Sequence, residues 1–279
     1  MKHMISMLFS KSKIALATLI LFAFGLLAGI FFSFPEVKIK QLLISSIERQ
    51  CHVVIEQGDI DIGFLSIEGS DLLVRPENPL WAPISINSLH IAPLWLTLLA
   101  KNPGVHLDMQ LSGGTLWADM FRDGTLKATA SQLNLGPLLP KDQAVKVSGL
   151  LADMKFSGAI PLEKASESFV ALALTNVKVI GNGGLRMALN LGDIVINGTG
   201  RGRSFKIVSL RADRGDLSIS GKGSILLGRD LPSTRVNIKM EIHPEDTVDP
   251  MVVELLRLGT RQTPNGSYEL SISGSLSEL

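Results

Sequence analysis

Several residue types are scarce in this 279-residue sequence, and each scarcity argues against a kind of function. Cys51 is the single cysteine, so the chain has no internal disulfide. Aromatic residues make up 5% of the chain, with one tyrosine, which leaves few platforms on which bases or sugars stack. The 27 basic and 26 acidic residues are mixed along the chain, so we expect no nucleic-acid partner.

Motifs of catalysis and metal binding are also absent. The sequence contains no H-E-x-x-H, no G-x-S-x-G and no G-x-x-x-x-G-K-[ST] phosphate loop. A metal site requires two or more ligands that converge, whereas the five histidines are scattered: His3, His52, His90, His106 and His243. We therefore predict a protein that is not an enzyme, with no catalytic residue, no cofactor and no metal site.

One pair of carboxylates keeps an enzymatic alternative open. The stretch "GDIDIG" places Asp59 and Asp61 on the same side of a strand. Two carboxylates there can bind a cation or exchange protons, but a solvated strand face beside a turn is the commoner explanation. An envelope enzyme that uses this pair is the weakest of our hypotheses.

The densest basic patch follows the glycine-rich stretch "NGTGRGRSFK". Its cations are Arg201, Arg203, Lys206, Arg211 and Arg214. Such a patch can meet anionic lipid head groups or a partner protein, although an ordinary exposed hairpin has the same composition.

A long uncharged run near the N-terminus predicts a membrane anchor. Residues 14–34 contain no charge, and 21 residues of helix extend about 31 Å, enough to cross a bilayer. A cleaved signal peptide is the alternative, but its apolar region is shorter and ends in a small-x-small site. Three lysines or arginines flank each side, so the positive-inside rule does not decide orientation. The short basic tail, residues 1–13, favours a cytoplasmic N-terminus with the rest exported to the periplasm.

The next segment, residues 35–51, predicts an amphipathic helix. Ile39, Leu43, Ile47 and Cys51 fall four residues apart on one face, with polar residues opposite. This helix either lies at the membrane interface or caps the domain that follows, and we favour the cap.

Residues 52–279 predict one exported domain of antiparallel β-sheet. From Val53 the apolar period changes from 3.6 to 2, as in "TRVNIKMEIH" and "DLSISGKGSILL". Such alternation indicates strands with one dry and one wet face, and Gly/Asn/Asp clusters between the runs indicate hairpin turns. Two short helices are expected to interrupt the sheet, one within Pro93–Gly104 and one over Pro250–Leu258, which Gly259 ends.

A five-residue phrase, ending in Ser-Gly, recurs along these strands. Its copies end at Gly113, Gly149, Gly158, Gly221 and Gly274, at irregular spacing, so the chain is not a solenoid array. Glycine in a strand permits a bulge or a bend, and serine does not crowd it. The phrase predicts a strongly curved sheet, either a groove or a partly closed, barrel-like form.

The layout resembles the type II secretion system protein N family (GspN), with a likeness to the wider AsmA-like group of membrane-anchored β proteins. The resemblance rests on apolar spacing and glycines in "VVIEQGDIDIGFLSIEGSDLLV", "LHIAPLWLTLLAKNPGVHLDMQLSGGTLWADM" and "LLRLGTRQTPNGSYELSISGSL". It implies an accessory component of the general secretion apparatus in the bacterial inner membrane. Its partners would be other inner-membrane subunits of that apparatus.

The AsmA-like likeness implies a different role. There, a curved sheet forms a groove whose apolar lining shields lipid chains that move between membranes. The apolar face expected from residue 53 onward fits such a groove, in which membrane lipids and their acyl chains are the partners. The same face also fits an ordinary dry core, and the sequence leaves both interpretations open.

Overall fold

The computed structural model describes residues 36–63, 65–78, 81–98, 100–139, 145–160, 166–181, 188–228, 233–246 and 248–275. They form a single antiparallel sheet of fourteen strands in the order β1 to β12, then β14, then β13. The strands are β1 Val53–Ile62, β2 Ile67–Pro76, β3 Ile84–Pro93, β4 Gly104–Leu111, β5 Gly114–Phe121, β6 Thr125–Asn134, β7 Val145–Ala159, β8 Glu167–Gly181, β9 Ala188–Arg201, β10 Ser204–Asp213, β11 Leu217–Leu226, β12 Arg235–Pro244, β13 Arg261–Gln262 and β14 Tyr268–Ser275.

The prediction of a mainly antiparallel β protein with few helices is confirmed, and the barrel alternative is wrong. Among the described strands, β1 and β13 form the two edges and do not pair with each other, so the sheet is not closed. Nearly every strand pairs with the next strand in the chain, because short turns such as Ser112-Gly113 connect them.

Three helices accompany the sheet in the described part of the chain: α1 Glu36–Cys51, α2 Trp95–Leu98 and α3 Pro250–Gly259. Both short helices fall where the sequence pattern places them. Asp249 caps α3, since its Oδ1 accepts a hydrogen bond from Met251 N at 2.9 Å.

The predicted anchor, residues 14–34, and the basic tail before it lie outside the described residues. Within the described ranges, no helix has the length and apolar character that a membrane crossing requires.

Bulges keep the apolar residues on one face of the sheet at the points where the alternation of apolar and polar residues shifts by one position. In β2 the apolar positions change from odd numbers (Ile67) to even numbers (Leu72, Val74), and Asp71, with a φ of 49°, absorbs the extra residue. In β8 the change from Leu174 to Val177 is absorbed at Asn176, with a φ of 53°. Because a bulge also bends its strand, these residues are sites of curvature.

The Ser-Gly phrase has three different structural roles rather than one. Gly113 forms a hairpin turn with a φ of 82°, and Gly149 sits at a register shift in β7. Gly158, Gly221 and Gly274 lie in strands, opposite Leu126, Met240 and Val236. The expectation of a strand position is therefore wrong for Gly113, whereas Gly149 lies at a bulge within β7, as the phrase predicts.

Candidate binding face

Strand register gathers the apolar residues on one side of the sheet, which we call the apolar face. One row of directly paired residues crosses it from β1 to β14 and extends about 58 Å at ~4.8 Å per strand. We call it the central row: Ile60, Gly69, Leu89, Met109, Leu116, Ala130, Met154, Leu172, Ile196, Leu210, Gly221, Met240 and Leu270.

The rows beside the central row have the same character. Leu107, Ala118 and Ala128 continue one another across β4, β5 and β6, and Ile219, Ile242 and Tyr268 do so across β11, β12 and β14. At the paired positions of the described strands, no charged side chain lies on this side. The opposite side, the polar face, carries the charges, for example Arg235, Lys239 and Glu241 in β12.

The apolar face is only partly withdrawn from solvent. Of the thirteen residues in the central row, Ile60, Gly69 and Ala130 are buried and the other ten are half-buried. Most buried apolar residues of the described ranges fall into three small clusters, which contain Leu72, Leu133 and Ile242, rather than into one continuous core. A dry core between two layers would bury the middle of the face completely.

Each cluster is covered by a different short segment. Leu43 and Ile44 of α1 pack over the β1–β2 cluster. Leu135 and Leu138, beside the 3-10 turn Gly136–Leu138, pack over the middle cluster. Val252 and Leu256 of α3 pack over the β11–β14 cluster. The described residues provide no second sheet over the face.

One end of the apolar face is open. Val105 of β4 and Met120 of β5 are paired on this face, and Met120 is 53% exposed. Both lie where β4 begins and β5 ends, next to the loop that contains α2. The face therefore reaches solvent at this end.

A concave region of about 1270 Å³ lies mainly on the polar face of β9 to β14. Its rim carries both signs of charge, such as Arg211, Lys222 and Glu241. This mixed lining fits water and polar partners and lacks a concentrated charge for one ligand.

The predicted basic patch is partly neutralised. Arg214 forms an ion pair with Asp193, and Arg211 Nε lies 3.8 Å from Asp213 Oδ2. Lys206 lies with Arg201 along a smaller concavity, which also contains Glu167. The five cations therefore do not form one basic surface.

Asp59 and Asp61 both lie on the polar face and line a shallow concavity with Glu68 and His90. Lys40 Nζ of α1 donates a hydrogen bond to Asp59 Oδ1 at 3.0 Å. This hydrogen bond, followed by the charge of Lys40, lowers the pKa of Asp59. A carboxylate with a lowered pKa is a weaker base, so the contact with Lys40 makes Asp59 a poorer group for proton abstraction.

No group of three or more His, Cys, Asp or Glu side chains in the described ranges converges as a metal site would require.

The sequence does not predict one pair, His106 and Asp119, whose Nδ1 and Oδ1 atoms lie 2.6 Å apart across β4 and β5. The Trp117 ring centroid lies 6.4 Å from that of His106. The alternation of β4 and β5 predicts the face of each residue, but only their register brings the pair together.

Comparisons with known protein families, with curated proteins and with solved structures found no match.

Proposed function

We propose that this chain is a non-enzymatic, membrane-anchored envelope protein whose apolar face binds the acyl chains of lipids. The observation that carries the proposal is the central row, which is uncharged, extends about 58 Å and keeps ten of its thirteen residues only half-buried. Soluble monomers rarely leave so extended an apolar surface in contact with water, and such surfaces mark binding sites.

Acyl chains fit this surface physically. Each methylene group that leaves water contributes about 0.8 kcal/mol, so a chain laid along the face gains several kcal/mol without any specific contact. Polar side chains would oppose such binding, and the paired positions of the face have no charge. The anchor predicted at residues 14–34 would hold the sheet at the periplasmic side of the inner membrane, where phospholipid is the abundant ligand.

Photocrosslinking at two adjacent residues tests this proposal. Ile196 lies in the central row, whereas Val195 is on the polar face and is 43% exposed. We expect p-benzoylphenylalanine at position 196, in the full chain expressed in a Gram-negative host, to form phospholipid adducts detected by mass spectrometry. The same group at position 195 is the matched control. Equal adduct yields at the two positions, or none at 196, would contradict lipid binding by the apolar face.

Assembly within the type II secretion apparatus is a second candidate, and one further observation favours it. Helix α3 packs on the sheet through Val252 and leaves Met251, Leu255 and Leu258 exposed on the side that faces away from the cluster. These residues are spaced i, i+4 and i+7, so they form one stripe that a helix or a groove of a protein partner would cover.

A double substitution in this stripe distinguishes lipid binding from assembly within the secretion apparatus. Leu258 is 84% exposed, and neither it nor Leu255 packs on the β11–β14 cluster, so replacing both by Glu would leave that cluster intact. If the secretion role holds, the Leu255→Glu/Leu258→Glu variant loses secretion of folded proteins. In the same variant, p-benzoylphenylalanine at position 196 still forms adducts with lipid. Normal secretion by that variant would argue against assembly through α3.

Replacing Asp59 and Asp61 by Asn should change neither secretion nor lipid crosslinking, since we propose no catalysis.

A further inference from the structure

The two ends of the sheet differ in the exposed residues of their loops. We call the end at which β1, β3 and β5 finish the α2 end. Its described loop residues are 63, 65–66, 94–98, 100–103 and 122–124, and they include α2. Leu65, Trp95 and Leu96 project there, with Trp95 51% exposed and Leu96 95% exposed. Lys101 and Arg122 lie exposed in the same loops. Tryptophan and leucine beside basic residues are typical of segments that lie at a bilayer interface.

Hydrogen bonds fix the loop that presents Trp95 and Leu96. Leu94 N donates to Gly104 O at 2.9 Å, and Gly104 N donates to Thr97 Oγ1 at 2.9 Å. The β5–β6 hairpin is tied to the same loop, because Arg122 N donates to Pro103 O at 2.9 Å. The loop that presents these two side chains is therefore a platform held by hydrogen bonds. Trp95 is half exposed on it, and Leu96 packs against almost none of the described residues.

Helix α1 begins at this same end. It runs antiparallel to β1, since Glu48 Oε1 accepts a hydrogen bond from Ile55 N and Lys40, nearer the start of the helix, reaches Asp59. Glu36 lies about 6 Å beyond Lys40 along the helix axis, towards the level of Ile62. The thirty-five residues before Glu36, which include the uncharged run 14–34, therefore join the domain at the α2 end.

We propose that the α2 end rests on the bilayer surface, with Trp95 and Leu96 inserted among the lipid head groups. The anchor predicted at residues 14–34 would bring a membrane to this end, and the platform offers that membrane apolar and basic side chains. The open end of the apolar face, at Val105 and Met120, would then adjoin the lipid. The apolar stripe of α3 lies at the opposite end, beside β12 and β14, and is not part of this contact.

Bromine quenching of single tryptophans tests the contact. The full chain has Trp81, Trp95 and Trp117, so the Trp81→Phe/Trp117→Phe variant retains only Trp95. The matched control, Trp81→Phe/Trp95→Phe, retains Trp117, which is 43% exposed on the polar face and about 13 Å from the end of β5. Each variant is reconstituted into phosphatidylcholine–phosphatidylglycerol vesicles in which the phosphatidylcholine is brominated at acyl carbons 6 and 7, and only protein that floats with the vesicles is measured.

We expect at least twofold quenching of Trp95 and almost none of Trp117. Adding Leu96→Glu to the Trp95 variant should restore most of the emission, and this substitution spares folding because Leu96 touches almost nothing. Unquenched Trp95, or equal quenching of the two tryptophans, would overturn the contact. The membrane contact does not rest on acyl binding. Lipid adducts of p-benzoylphenylalanine at position 196 without quenching of Trp95 would contradict only the membrane contact. Quenching of Trp95 without such adducts would contradict only the acyl-binding site.

Discussion

At the scale of single residues, the ion pair between Lys40 and Asp59 makes the docking of α1 sensitive to acid. The folded-state pKa of Asp59 is lowered below its ordinary value of 3.8, so the pair's contribution is complete above pH 3.8. It is lost as the pH falls through the folded-state pKa. We expect carboxyl titration by NMR to place Asp59 below 3.8 in the native chain and closer to 3.8 in Lys40→Met. An unchanged Asp59 titration in that variant would show that Lys40 is not the cause.

Glycines on the apolar face are a second feature at this scale. A Cβ on Gly223 would lie 2.3 Å from Asn237 O of the neighbouring strand, and that backbone atom has little freedom to move. Gly223→Val should therefore lower the free energy of unfolding by about 1–3 kcal/mol, measured by urea denaturation. Gly113→Asn is the control, since a Cβ there meets nothing within 4 Å and Asn tolerates the positive φ. Equal losses in both variants would contradict the crowding argument.

At the scale of elements, the bulges hold each strand in phase with the apolar face. Deleting Asn176 would move Val177 and Val179 to the polar face and Lys178 to the apolar face. Exposing Val177, now 2% exposed, costs about 1.5–3 kcal/mol by itself, so we expect a clear fall in Tm by circular dichroism. Asn176→Gly keeps the residue count and suits the φ of 53°, so its Tm should not fall. A deletion that leaves Tm unchanged would mean that β8 shifts its register freely.

The same bulges explain what the sequence predicted and what it left open. Alternation in "TRVNIKMEIH" predicts β12 because that strand has no slip, and the helix over Pro250–Leu258 follows from its cap and its terminal glycine. In β2 and β8 the alternation changes phase at Asp71 and Asn176, and no local rule says whether the strand ends there or bulges. Register is likewise a non-local property, so the central row and the pair His106–Asp119 appear only once strands are aligned.

At the scale of the whole molecule, the sheet resembles a linear array more than a single packed core. The substantial contacts of each strand are with its neighbours in the sheet, and the three buried clusters lie at different places along the strand order. In such an array, stability is close to a sum of local and nearest-neighbour contributions. Damage near β14 should therefore stay there, and the strands around β1 should remain folded when the strands around β14 open.

Two matched cavity variants test this independence. Ile60 and Ile242 are each 4% exposed, in β1 and β12, and truncation of such a residue to Ala costs about 2–5 kcal/mol. We expect Ile242→Ala to speed amide hydrogen exchange in β11, β12 and β14 and to leave β1–β3 unchanged, as followed by mass spectrometry. Ile60→Ala should do the reverse. If either variant accelerates exchange evenly across all strands, the sheet unfolds as one cooperative unit, and its half-buried apolar face must be stabilised by contacts that span the molecule.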